Sequence, residues 1–375
     1  MSQQNQPPKK IRVGLVFGGR SGEHEVSLTS AKGIMQAMDP ARYEIVPIGI
    51  TKAGQWLTGE NIHQRLLEAA AGHPALANST IAAEALPENT LALPISETGP
   101  LDVIFPVLHG PFGEDGTVQG FLELVGLPYV GAGVMASAVG MDKAICKKVF
   151  EAHGLPILPY RVFLRRQWQS QPETVLDACE AGLTYPMFVK PANLGSSVGV
   201  HKAKDRDDLR VGLADAAQYD RKIVVEQGID AREIEVSVLG NDDPIASVPG
   251  EIVASREFYS YAAKYIDNSS ELLIPAPLSQ AQTEQAQQLA VAAFQVVDAA
   301  GLARCDFLLD KADGALYLNE VNTMPGFTPI SMYPKLWEAS GLSYSELIDR
   351  LIELALERFD DKQQSKTTFD VDQAE

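Results

Sequence analysis

The apolar run IRVGLVF at residues 11–17 restricts the fold of this chain more than any other segment. A glycine-rich turn, GGRSGEHE, follows it, then a helical pattern from Val26 to Met38, then a second apolar run, YEIVPIGI. A strand that is apolar throughout needs cover on both faces. Two such strands joined through a helix predict a βαβ unit and a parallel sheet. The buried run LDVIFPVLHG extends this pattern, with a helix in GTVQGFLELVG and an outgoing strand in LPYVGAG.

The chain has 375 residues, more than one ordinary core accommodates. A first boundary is expected near Gly131. The second unit begins with the helix MDKAICKKVFEAHG and continues through the strands YPMFVKP, VGVHKA and RKIVVEQ, with a helix around residues 205–217. The third runs from about Gly228 to Phe359 and holds REIEVSVLG, an aromatic loop at 256–270, a Gln-rich helix from Ser279 to Ala300, a hairpin, and the closing helix YSELIDRLIELALERF. Residues 52–100 read as an insertion or irregular region. The polar ends, MSQQNQPPKK and DDKQQSKTTFDVDQAE, read as loose tails, with 363–375 disordered.

Charge narrows the partners. A net charge of −18 leaves nucleic acid and anionic membrane without the basic surface they need. No apolar run approaches a membrane span, and the N-terminus lacks the apolar segment of a signal peptide. Cys146, Cys179 and Cys305 show no metal-ligand spacing and fit buried thiols in a reducing compartment. The expected location is the cytoplasm.

The segment RCDFLLDKADGALYLNEVNTMPGF carries the densest chemistry. CDFLLD and ALYLNEV read as strands and KADG as the turn of a hairpin. Residues two apart share a face, so Arg304 and Asp306 point one way, as do Glu320 and Asn322. Oxygen donors gathered there suit Mg²⁺ better than zinc. A solvated hairpin with scattered charges is the alternative.

Four further segments invite a ligand. In FVKPANLGSSVGV a strand delivers Lys190 into a turn of small residues, where N–H groups and an ammonium can meet phosphates. The order lysine, loop, strand differs from a Walker loop, and a plain hairpin turn is the alternative. In VVEQGID, Glu226 can accept the amine of adenine, the backbone of Gln227 and Ile229 can read the base edge, and Glu233 can accept ribose hydroxyls. An ordinary strand end reads equally well there. In GGRSGEHEVS the dinucleotide spacing is missing, and of Glu23, His24 and Glu25 the two acids repel phosphate. Those acids suit an ammonium group or a solvated helix start. His109, at the end of LDVIFPVLHG, sits where α/β proteins place ligands, or is satisfied by backbone contacts.

Lys143, Lys190, the GSSVG loop, Glu226, Arg304, Asp306, Glu320 and Asn322 occur in the order found in ATP-grasp ligases. FGGRSGEHEVS, LHGPFGEDG, GLPYVGAGVMASAVGMDK and NEVNTMPGFTPISMYP resemble signatures of the D-alanine–D-alanine ligase family. The likeness spans roughly residues 11–358, outside the 52–100 region and the tails. It implies an α/β, three-domain ATP-grasp fold: a Rossmann-like N-terminal substrate domain (1–131), a central nucleotide domain (132–227) and a C-terminal domain for metal, lid and second substrate (228–362).

The resemblance also implies roles. ATP is held by Lys143, Lys190, Ser197, Glu226, Gln227, Ile229 and Glu233, and two Mg²⁺ ions, with Mn²⁺ as a substitute, by Asp306, Glu320 and Asn322. Position 227 is Gln where related enzymes often have Lys. One D-alanine is converted to D-alanyl phosphate and a second attacks it, giving D-alanyl-D-alanine for peptidoglycan synthesis. Glu23 pairs with the first ammonium, with His109 nearby. Lys264, Ser331 and Met332 receive the second substrate, and Arg304 with the Gly326 N–H stabilises the oxyanion. EFYSYAAKYIDNSS becomes a lid whose Tyr265 bonds Ser196, and Ser196 bonds Glu23. A homodimer is implied. Another ATP-grasp ligase would lack Glu23, His109, Lys264 and Tyr265. A D-alanine–D-lactate ligase fits the Lys264–Tyr265 pair poorly. A non-catalytic nucleotide-binding scaffold would tolerate loss of Arg304 or a metal ligand, and all of them are present.

Overall fold

The structure is a computed structural model and describes residues 9–59, 61–70, 99–195, 197–253 and 271–366. Ser196, the proposed lid with Lys264 and Tyr265, and residues 71–98 of the irregular region lie outside the described residues, as do the N-terminal tail up to residue 8 and the last nine residues.

The opening βαβ unit forms as its pattern predicts. Strands β1 (Ile11–Gly18) and β2 (Tyr43–Ile50) pair in parallel around helix α1 (His24–Ala37), and β1 also pairs in parallel with β4 (Val103–Val107). The short β3 (Trp56–Leu57) and helix α2 (Ile62–Ala70) give part of the region read as irregular a regular structure. Strand order is β3-β2-β1-β4. LPYVGAG contributes a single bridge, Tyr129 to Ile104, rather than a strand.

The two faces of this sheet have different covers. Val16 and Ile104 face helix α3 (Thr117–Leu124), through Val118 and Leu122. Val13, Leu15, Phe17, Val103, Phe105 and Val107 face α1, α2 and the far end of the chain.

The middle of the chain contributes helices α4 (Val134–Met141) and α5 (Lys143–Ala152), then a four-stranded antiparallel sheet. Its strands are β5 (Tyr160–Leu164), β6 (Met187–Pro191), β7 (His201–Ala203) and β8 (Lys222–Gln227), in the order β5-β8-β6-β7. Helices α6 (Arg165–Ser170), α7 (Pro172–Glu180) and α8 (Arg206–Tyr219) cover it with Trp168, Leu176 and Leu213. Strand β7 has three residues where VGVHKA suggested six, because Gly199 sits at positive φ and belongs to the preceding turn.

The third sheet is antiparallel, order β12-β11-β9-β13-β14, with β10 (Ile245–Ala246) beside β9. It is built from β9 (Ala231–Gly240), β11 (Gly250–Val253), β12 (Glu271–Leu273), β13 (Gly301–Asp310) and β14 (Leu316–Asn322). Helix α9 (Gln280–Val296) packs Ala286, Ala290 and Phe294 on it, and α5 adds Cys146 and Phe150 to the same core. All three cysteines are buried free thiols.

The C-terminal helices α10 (Met332–Ala339) and α11 (Tyr344–Gln363) correct the reading of the chain's end. In α11 the stripe Leu347, Ile348, Leu351, Ile352 and Ala355 is buried in the core of the first sheet, not confined to the third unit. Its start is fixed by reciprocal Ser343–Glu346 hydrogen bonds. It also runs four residues past Phe359, into the segment read as a tail. There Lys362 pairs with Glu123 of α3 and complements the helix C-terminus.

This packing sets the loop between β14 and α10. The Phe327 ring lies against Phe105, Tyr333 and Tyr344. The Tyr344 hydroxyl donates to the Phe327 carbonyl at 2.7 Å, and the Phe327 N–H donates to Ser30 Oγ at 3.4 Å. Pro325-Gly326 is therefore held between the first sheet's unit and the C-terminal helices.

Candidate active site

The hairpin of β13 and β14 brings the predicted residues together, with one departure from simple alternation. Arg304 opposes Asn322 and Asp306 opposes Glu320, but Phe307 then opposes Leu318, leaving Asn319 as an extra residue. Such a bulge re-aims side chains. Burial runs Leu318, then Val321, so Asn319 and Glu320 both fall between buried positions. The turn closes on Gly314 at φ +75°, with its N–H donating to the Asp310 carbonyl.

Arg304 and Asp306 are paired with each other. The guanidinium Nε and a terminal nitrogen each donate to one Asp306 oxygen at 2.7 Å, and Glu235 lies 3.0 Å from Nε. Burial works against the charge on Arg304, but Asp306 and Glu235 outweigh it and raise its pKa further. The Asn322 carbonyl oxygen accepts from the Met324 N–H at 3.2 Å.

Opposite the hairpin stands the start of α5. Asp142 caps it, accepting from the N–H groups of Ala144 and Ile145 at 3.1 Å. This fixes Lys143, whose ammonium donates to the Leu194 carbonyl at 2.8 Å and lies 3.4 Å from Glu320 Oε2. A cavity here is lined by Glu114, Lys143, Leu194, Gly195, Glu320 and Asn322, drawn from every part of the chain.

Lys190 and Glu226 lie deeper, on adjacent strands β6 and β8. Lys190 Nζ is 2.7 Å from Glu226 Oε2 and 3.2 Å from Asn319 Oδ1. Glu226 Oε1 accepts from Lys147, one helical turn beyond Lys143. Burial pushes the Glu226 carboxyl up, but Lys147 and Lys190 outweigh it and hold the pKa below the usual range. Burial likewise works against the Lys190 ammonium, and Glu226 more than restores it.

Gln227 is tied down locally. Its side chain bonds Thr184 and the Gly228 carbonyl, and its N–H donates to the Pro159 carbonyl. Ile229 is half-buried beyond it, and Glu233 lies on β9 opposite Leu308. Ser197 sits in the turn at φ +58°.

The N-terminal unit supplies the other wall. A Cβ placed on Gly195 would lie 3.3 Å from Glu23 Oε2 and 3.6 Å from Glu114 Oε1, so both carboxyls crowd the same glycine. Glu114 accepts from the Gly110 N–H at 2.8 Å, and burial with Glu23 pushes its pKa up to about 8. His109 Nδ1 is 3.0 Å from the Met324 carbonyl, which can only accept, so Nδ1 carries the proton. Its buried Nε2 has no hydrogen-bond partner among the described residues. Burial lowers the His109 pKa, against the pull of Glu23, and favours the neutral ring.

Glu114 yields a pH prediction. Its folded pKa lies above that of a free carboxyl, so between about 4.5 and 8 the native state holds a proton the unfolded chain has lost. Its contribution is fully present below about 4.5 and disappears as pH rises through about 8. Without substrates, Glu114→Gln is expected to gain stability relative to the parent as pH rises over this window, by on the order of a few kcal/mol in all. Denaturant melts at several pH values measure the gap; a gap independent of pH would contradict the assignment.

Beyond the hairpin, Ser331, expected to meet the second substrate, starts α10, and its Oγ lies 2.7 Å from Thr328 Oγ1. A Cβ on Gly326 would lie 3.2 Å from that Oγ. The Met332 side chain is buried with Ile252 and Leu336, leaving its backbone as the part able to meet a ligand.

The donor set fits a hard divalent cation. Asp306, Glu320 and Asn322 supply oxygen only, and no group of three His, Cys, Asp or Glu able to hold a metal occurs among the described residues. A cation that takes part of its shell from phosphate matches such a sparse set. Lys147, Glu114 and Asn319 were missed by sequence reasoning. Lys147 was signalled by its i+4 spacing from Lys143, and Glu114 by its place in LHGPFGEDG; the bulge that directs Asn319 left no sequence signal.

Comparison with known proteins places this arrangement. Residues 12–132 match the family described as D-ala D-ala ligase N-terminus, and residues 149–353 match D-ala D-ala ligase C-terminus. The D-alanine–D-alanine ligase of Heliobacterium modesticaldum is 52% identical over 96% of this chain and 98% of its own length. That of Geobacillus kaustophilus is 51% identical over 96% and 98%. Among solved structures, the D-alanine-D-alanine ligase of Coxiella burnetii superposes with a TM-score of 0.78 at 36% identity, covering 95% of this chain and 96% of that one. The VanG D-Ala:D-Ser ligase of Enterococcus faecalis gives 0.79 at 33%, covering 92% and 100%.

Proposed function

We propose, for a chain that belongs to the D-alanine–D-alanine ligase family, a division of labour among the residues of this cleft. The protein is an ATP-grasp enzyme that ligates two D-alanines to D-alanyl-D-alanine at the expense of ATP, for peptidoglycan synthesis. The observation that carries the residue roles is the convergence of Lys143, Glu320, Asn322 and Glu114 on one cavity, with Lys190 and Glu226 behind it.

In this reading Lys143 and Lys190 bind ATP phosphates beside the turn containing Ser197. Glu226, Ile229 and the carbonyl of Gln227 receive adenine, and Glu233 the ribose. Asp306, Glu320 and Asn322 hold two Mg²⁺ or Mn²⁺ ions. Bound there, such ions neutralise phosphate charge.

Glu23 takes the ammonium of the first D-alanine, next to neutral His109. The carboxylate of that substrate attacks the γ-phosphorus, giving D-alanyl phosphate and ADP. The free amine of the second D-alanine, positioned by Lys264, Ser331 and the backbone of Met332, attacks the carbonyl. Arg304 and the Gly326 N–H stabilise the tetrahedral oxyanion, and phosphate leaves with the electrons of the broken C–O bond. Tyr265, Ser196 and Glu23 link lid to substrate, and closure excludes water from the acyl phosphate. The domain limits of 1–131, 132–227 and 228–362, a cytoplasmic location and a homodimer belong to the same reading. No helix among the described residues is long and apolar enough to cross a membrane.

Incubation with ATP, D-alanine and a choice of D-alanine, D-serine or D-lactate as second substrate tests the assignment. D-alanyl-D-alanine is expected to dominate and to increase from about pH 6 to 9, as the basic α-amino group of the nucleophile deprotonates. Tyr265→Phe is expected to raise the D-lactate product. Dominant D-alanyl-D-lactate or D-alanyl-D-serine from the unmutated protein at neutral pH would overturn the choice of second substrate.

A further inference from the structure

Lys147 is 1% exposed and has no part in the chemistry above. It shares a face of α5 with Lys143, one turn away. Its ammonium bonds Glu226 Oε1 and lies 6.0 Å from the centroid of the Tyr160 ring, whose residue opposes Glu226 across β5 and β8. The other Glu226 oxygen is 2.7 Å from Lys190. A buried carboxylate thus stands between two ammonium groups of unequal depth. The Lys147 side chain is 2% exposed and that of Lys190 14%, so Lys190 is the more accessible of the two ammonium groups.

The charges decide what each lysine can do. Two ammonium groups and one carboxylate leave one positive unit. Without Lys147, Glu226 and Lys190 would form a closed neutral pair. Glu226 would then hold Lys190 as its sole buried counter-ion, and a phosphate would meet no net charge from this pair. With Lys147 present, Glu226 has a partner of its own.

We propose that Lys147 is a positioning residue for nucleotide binding: it neutralises Glu226 from behind, so that Lys190, although hydrogen-bonded to Glu226, is not its sole counter-ion and can engage the phosphates of ATP. This rests on the reading of Lys190 as a phosphate-binding residue.

Calorimetric titration of the full-length protein with ATP, together with steady-state kinetics, tests it. Lys147→Met is expected to weaken ATP binding by roughly 10–100-fold, the range for hydrogen bonds to charged groups. The KM for ATP should rise, while kcat at saturating ATP and the KM for D-alanine change far less. Lys147→Arg should keep most of the affinity. The double variant Lys147→Met with Glu226→Gln restores a net charge of one and keeps an acceptor oxygen for adenine, so it should bind ATP more tightly than Lys147→Met. If Lys147→Met does not fold, the double variant, in which Lys190 has no Glu226 carboxylate to offset it, carries the test by binding ATP more tightly than Lys190→Ala. Parental ATP affinity in a folded Lys147→Met, or a double variant as weak as Lys190→Ala, overturns the proposal. Lys190→Ala separates the two readings. If it leaves ATP affinity intact, the phosphate role of Lys190 fails; if it weakens binding while Lys147→Met does not, only the role of Lys147 fails.

Discussion

Glu320→Ala is expected to bring ATP-driven ligation to the limit of detection while the protein stays folded. Glu320 lies on the cleft side of β14, with its side chain 30% exposed and Oε2 3.4 Å from Lys143 Nζ. It therefore contributes little to the core, and its loss opens no cavity of the kind that destabilises a fold. What disappears is an anionic oxygen at the point where phosphate charge must be balanced by a cation. Lys143 cannot replace it, because an ammonium is no ligand for a metal ion. Asn322→Ala should behave similarly, since it removes a neutral oxygen from the same face. Phosphate release with ATP and D-alanine measures the loss, and thermal melts establish that the fold survives. Parental turnover in either variant would falsify the metal assignment.

Arg304→Ala should lower the rate of ligation by about 10²–10³, the usual cost of removing one donor from a developing oxyanion. Its guanidinium is buried and doubly bonded to Asp306, with Glu235 on its other side, so it is held rigidly at its station. Removing it also leaves Asp306 and Glu235, which face each other across β9 and β13, without their shared counter-charge. Some stability is therefore lost along with the activity, and the rate must be measured on protein shown to be folded. Arg304→Lys keeps a charge but not the planar two-pronged contact, and it should recover only part of the rate. ATP affinity should change little in either variant. A collapse of nucleotide affinity with normal turnover of bound substrate would make Arg304 a nucleotide residue instead.

The hairpin shows how far sequence reading reaches. Alternation in CDFLLD and ALYLNEV placed Arg304, Asp306, Glu320 and Asn322 on shared faces, and the pairing Arg304–Asn322 and Asp306–Glu320 follows that register. Alternation has a period of two and cannot encode an extra residue, so the bulge and the contact of Asn319 with Lys190 were invisible. The same holds for Glu226. Its place at a strand end was legible, but the two lysines on its oxygens come from a helix and a strand 79 and 36 residues away in the chain.

Local grammar was legible in the sequence: a parallel βαβ opening, the strands and helices of the later units, and the hairpin register. Each depends on residues close in the chain, where steric preference and hydrophobic period act directly. Only the tertiary structure decided which faces meet. The stripe on α11 announces that it must be buried, but any apolar face would satisfy it, because the hydrophobic effect is non-directional. The first sheet had an open face, and α11 covers it. That choice draws Phe327 and the Pro325-Gly326 turn against α1, while packing of α5 on the third sheet sets Glu320 opposite Lys143. Ion pairs such as Lys147–Glu226 arise only after this packing, because burial makes an unpaired charge costly and so selects the partner.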